Sequence, residues 1–92
     1  MLRQHQVLEL MAHERQYQDK TWPRDARRRV MYGFLAPHLI LLRTYLEKAE
    51  AAWTSSNGNL AGLQQVGKIA AIALRALEET EGSEELIEKG LR

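Results

Sequence analysis

Cysteine is absent from the 92 residues, which excludes disulfide staples and thiolate sites and is compatible with a reducing compartment. The expected location is cytoplasmic. An excess of either charge is also missing: 13 Lys+Arg stand against 12 Asp+Glu, a formal net charge of +1. That balance argues against a general polyanion-binding surface, and so against nucleic acid as the main partner. No stretch approaches the roughly 18 consecutive apolar residues of a membrane span, so no membrane partner is expected. The start of the chain, with His5 and Glu9 and no small-residue cleavage site, lacks a signal peptide's form. The chain therefore reads as soluble and unprocessed.

Several chemical signatures are lacking too. There is no glycine-rich phosphate loop and no HExxH motif. His5, His13 and His38 share no metal-ligand spacing. Ser55, Ser56 and Thr54 lie in a turn and Ser83 at a helix cap, so no nucleophile–base pair follows from spacing. Finally, no segment alternates with the period of a strand, which leaves helix as the only regular structure.

What is present fits a single domain over residues 1–92, all-α, a small antiparallel bundle of three to four helices. A chain this short buries only about 60–65% of its unfolded surface, so self-association would help it. Helix one is expected from about Leu2 to Asp19 or Lys20, ending before Thr21-Trp22-Pro23 because Pro23 disfavours helical angles in the residue ahead of it. Pro23 could then open a new helix. Residues 24 to 36 read as a short helix or an irregular arm, since Gly33 and Pro37 each weaken a continuous helix. A second long helix follows from about Gly33–Pro37 to Trp53, with Leu35, Leu42, Leu46, Ala49 and Trp53 on one stripe and His38 beside it. Trp53 reads as a core anchor, Trp22 as a plug over the bundle's end, and His38 as a hydrogen-bonded core histidine.

Thr54 to Asn59 form a turn cluster in which Asn57 or Asn59 can cap the next helix. That helix, about Leu60 to Glu79, carries Leu63, Val66, Ala70, Leu74 and Leu77 on one side. Only a narrow strip, Gln64, Lys68, Ala71, Arg75 and Glu78, interrupts its apolar character. A helix apolar nearly all round is buried on more than one side, which implies a central position or a homo-oligomer contact through residues 60–79. Gly82-Ser83 ends it, and Ser83 with Glu84 and Glu85 starts a short acidic helix that Gly90 stops.

Three groups of residues could carry chemistry. In helix one, the apolar positions Leu8 and Met11 give way on the same face to Arg15, Gln18 and Trp22, with Asp19 alongside. Polar groups aimed inward must be paired or functional. Glu14 and Asp19 are thus candidate Mg²⁺ ligands, or members of a buried ionic network with Lys48, Lys68 or Arg75. Glu47 and Glu50, three residues apart, could reach one ion, although Glu47 points away from the apolar stripe and a solvated face explains the pair as well. Arg24, Arg27, Arg28 and Arg29, beside Trp22, form a basic cluster with phosphate-binding chemistry, and Lys48 and Lys68 are further phosphate candidates. Against this, a charge run is ordinarily a solvated face, and Asp25 stands inside it.

The chain also shows E-R-x-x-Q-D-x-x-W from Glu14 to Trp22, Y-L-x-K-A-x-x-A-W from Tyr45 to Trp53, and K-I-A-A-I-A-x-x-A-L-E from Lys68 to Glu78. In this it resembles a family of small bacterial and phage proteins placed near the MazG-like all-α nucleotide pyrophosphohydrolases. The resemblance implies a helical bundle that dimerises or tetramerises and hydrolyses nucleoside triphosphates with Mg²⁺ held by E-E-x-x-E and E-x-x-D motifs. Glu47 and Glu50 match part of the first motif, with Lys48 beside them. The second has no counterpart, because L-Q-Q-V-G-K-I-A-A contains Lys68 and no acid. The expectation is therefore a non-catalytic oligomeric interaction module with a degenerate metal site. The alternative is a Mg-dependent nucleoside triphosphate pyrophosphohydrolase, with Mg²⁺ as cofactor only in that case and a nucleotide as possible partner.

Overall fold

The computed structural model describes residues 1–55 and 58–92. Five helices follow in order: α1 (Gln4–Thr21), α2 (Ala26–Tyr32), α3 (Leu35–Trp53), α4 (Gly58–Glu79) and α5 (Glu85–Lys89). No strand occurs among the described residues, so the fold class is all-α. Among the described residues, no helix is long and apolar enough to cross a membrane.

The expected count of three to four helices is exceeded because the arm at 24–36 closes into α2. Asp25, not Pro23, starts it: the Asp25 carboxylate accepts the Arg28 backbone N–H at 2.9 Å, satisfying one of the free donors at the helix start. Pro23 stays outside the helix, while Pro37 sits in the first turn of α3, where its missing N–H costs nothing. Of the turn cluster before α4, Ser56 and Asn57 lie outside the described residues. Asn59 lies within α4 and does not cap it; its Oδ1 accepts the Trp53 indole N–H at 3.2 Å. At the start of α5 the capping position falls to Glu84 rather than Ser83, without a side-chain bond.

The principal packing is α3 against α4, and the two run antiparallel. Near one end a Cβ added at Gly62 would meet Trp53 Cβ at 3.4 Å, so the absence of a side chain lets the helices come together there. Near the other, the Glu81 backbone N–H donates to the Gly33 carbonyl at 2.9 Å. The backbone of α1 approaches α4 and not α3, α2 bridges the start of α3 and the end of α4, and α5 packs on none of them.

The core is small and polar in character. Its fully apolar members are Ala49, Ala71, Ile72 and Ala76, and its largest fully buried side chains are Arg75, His38 and Gln18. The strip of α4 that interrupts its apolar surface thus turns inward at Ala71 and Arg75, while Leu63, Val66, Leu74 and Leu77 face outward. Trp53 is likewise not a core anchor: it is 62% exposed. On α1 the inward face is realised at Gln18, whereas Leu8 is exposed because the first half of the helix has little to pack on. His38 does sit in the core, with Nε2 2.8 Å from the Tyr32 carbonyl oxygen. A carbonyl only accepts, so Nε2 carries the hydrogen.

Candidate functional site

The strongest concentration of charge lies where α1, α2 and α4 meet, and Arg75 is its centre. This side chain, on α4, is 1% exposed. A guanidinium so far from water must be paired on several sides. Its Nη1 donates to the Asp19 carboxylate of α1, its Nη2 donates to the Trp22 carbonyl at 3.1 Å, and its Nε lies 3.2 Å from Glu79 Oε1 one turn further along α4. That last contact is an ion pair without hydrogen-bond alignment.

Glu79 is shared. Arg28 of α2 grips it with a fork, Nε to Oε2 at 2.9 Å and Nη2 to Oε1 at 3.1 Å, the two-point geometry that makes arginine–carboxylate pairs directional. The same guanidinium stacks 4.0 Å from the centre of the Tyr32 ring. On the adjoining face, Glu78 accepts from Arg15 of α1 and from Arg24 at 3.2 Å. Arg24 also lies 4.0 Å from Asp19. Four arginines and three carboxylates therefore close on each other and tie α1, α2 and the segment between them to the end of α4.

A groove of about 340 Å³ opens beside this network, lined by Arg24, Arg28, Arg29, Gly33, Glu78, Glu79 and Glu81. Its arginines Arg24 and Arg28 already hold carboxylates, so a phosphate entering it would have to displace Glu78 and Glu79 from their partners. Arg27 lies off the network, exposed on α2.

The carboxylates singled out as Mg²⁺ ligands are spread over the molecule. Asp19 holds Arg75, one of the three cations expected for it. Glu14 accepts from the Gln18 amide at 3.3 Å on its own helix. Glu47 is exposed on α3, and Glu50 lines a separate groove of about 460 Å³ with Trp53, Gly62 and Val66. Among the described residues, no three His, Asp or Glu side chains gather as a metal site would require. Lys48 stacks on Tyr45, its Nζ 4.6 Å from the ring centre. Lys68 is half-buried and shares a small recess of about 130 Å³ with Glu14, Gln18, Trp22 and Tyr45.

Sequence reasoning reached Arg75 and Asp19 as possible partners but missed Glu79 as the hub. The available signal was the i, i+4 spacing of Arg75 and Glu79, which places both on one face of the helix. It named the apolar side of α4 but left open whether that side faces inward or outward. At ~100° per residue, Val66, Ala70, Ala73 and Leu77 lie within about 40° of the direction opposite Arg75, with Leu63 and Leu74 flanking them. No charged residue falls among these six. Comparison with known protein families, with curated proteins and with solved structures finds no match for this chain.

Proposed function

We propose that the chain is a non-catalytic, homo-oligomeric interaction module: a MazG-like helical bundle with a degenerate metal site that associates through α4. The observation that carries this reading is the inversion of α4, whose charged Arg75 is buried and whose uncharged stripe is open, with Val66 52% exposed. Among the described residues Ile72 is the only large aliphatic side chain that is buried, so the outward stripe of α4 is apolar surface the fold leaves unused. Ordinary monomers do not leave contiguous apolar faces of this kind without a use for them. The arginine–carboxylate cluster is, on this reading, a structural joint, and its pairing supports that role more than a ligand site.

Two measurements test the proposal. Val66→Lys places a charge in the middle of the stripe and leaves the buried side of α4 untouched; sedimentation velocity should find it monomeric with helicity intact, while the unmodified chain is larger. A variant that sediments like the unmodified chain would remove α4 from the interface. Titration calorimetry with Mg²⁺ and a panel of nucleoside triphosphates addresses the enzymatic alternative: we expect no binding at millimolar concentration, and pyrophosphate release would sink the non-catalytic reading.

A further inference from the structure

The outward stripe of α4 is symmetric along its own axis. Taking Ala70 as origin, the large apolar residues Leu63, Val66, Leu74 and Leu77 stand at −7, −4, +4 and +7, and the small residues Gly67 and Ala73 at −3 and +3. Size is thus mirrored about Ala70, with the smallest side chains at the centre and the largest outside. Antiparallel pairing of two copies about a two-fold axis sets residue i against a residue j with i + j constant, so with this pattern large side chains meet large ones and small meet small.

We propose that a second copy of this chain occupies the face, with the two α4 helices antiparallel and the two-fold axis passing beside Ala70. This rests on the oligomeric reading above and fixes its symmetry and register. Ala70 then meets Ala70 of the second copy, Val66 meets Leu74, and Leu63 meets Leu77. The small side chain of the exposed Ala70 lets the backbones approach closely at the axis, with Gly67 turned toward Met11 of α1 at its margin, and the four larger residues close the contact on either side. Antiparallel pairing also sets the two helix dipoles in opposition, whereas a parallel pair would align them.

The chain exposes more surface than a compact monomer of its size, enough to supply such a contact. The single chain exposes 7490 Å², against about 5,500 Å² for a compact monomer of its 10.6 kDa. The difference, about 2,000 Å², is shared with the unpacked α5 and the free first half of α1. An interface of standard size takes only about 800 Å² from each partner. The stripe runs about 21 Å along α4 from Leu63 to Leu77, long enough for such an interface. In a second copy the same uncharged stripe recurs on the facing helix, and the surplus of exposed surface on so short a chain is what such a contact would cover.

Because the chain has no cysteine, introduced thiols report on the register without interference. Three single variants, Ala70→Cys, Leu63→Cys and Leu77→Cys, are oxidised alone and mixed in pairs, with helicity and sedimentation measured on each. The proposal predicts that Ala70→Cys forms disulfide-linked dimers with itself in high yield. It predicts further that Leu63→Cys and Leu77→Cys cross-link when mixed and not when alone. Self-cross-linking of Leu63→Cys would show a parallel pair and overturn the proposed register. Variants that sediment as dimers but form no disulfide would also overturn it, leaving the oligomeric reading in place. An unmodified chain that sediments as a monomer would overturn both.

Discussion

Glu79 accepts one guanidinium from α2 and contacts another from its own helix, and its side chain is 11% exposed where that of Asp19 is 53% exposed. Removing Glu79 would leave Arg28 without its fork and Arg75 with one carboxylate fewer, deep in the fold. Glu79→Ala should therefore cost about 3–5 kcal/mol, the range for breaking a buried pair by deleting one member. Asp19→Ala should cost only about 1 kcal/mol, because its half-exposed carboxylate gives up a screened contact and Arg75 retains Glu79 and the Trp22 carbonyl. Urea denaturation of both variants at one protein concentration checks the order, and an Asp19 variant less stable than the Glu79 variant would contradict it. At this scale the sequence was partly legible. The inward turn of Gln18 and the burial of His38 followed from helical spacing, because spacing fixes which face a residue shares. That Asp19 would choose Arg75 over Lys48 or Lys68 did not follow, since partner choice depends on how α1 slides along α4.

Among the elements, α3 and α4 hold each other, and α1 is attached chiefly through its second half. Arg15, Gln18 and Asp19 lie in that half, whereas Leu2, Val7, Leu8 and Leu10 before it are exposed. Backbone amides in the first two turns of α1 should exchange with solvent well ahead of those in the middle of α4, since few buried contacts oppose their opening. Hydrogen exchange resolved by residue checks this; equal protection along α1 would show that its first half is covered in solution. Helix positions were well read from the sequence, with α3 ending at Trp53 and α4 at Glu79 as their apolar spacing and the following turn residues required. The assignment of α4's faces was not readable. With apolar residues over most of its circumference, periodicity cannot say which side meets the protein, and Arg75 on the buried side reverses the usual order.

The whole molecule leaves much of its apolar surface open. Its arginines and acids neutralise each other at one end, its buried apolar side chains are mostly alanine, and many larger aliphatic residues lie on the outside of α4, α3 and the start of α1. The sequence suggested that so short a chain would gain from self-association through residues 60–79, and the antiparallel pairing proposed about Ala70 adds an axis and a register to that suggestion. Of the carboxylates read as metal ligands, Asp19 and Glu14 hold other partners while Glu47 and Glu50 are exposed on α3, a separation that depends on how the helices meet and not on spacing. Sedimentation equilibrium of the unmodified chain at micromolar concentration tests the central claim most directly. The account predicts a mass twice the 10.6 kDa of one chain; a single species at 10.6 kDa, unchanged up to several hundred micromolar, would contradict it.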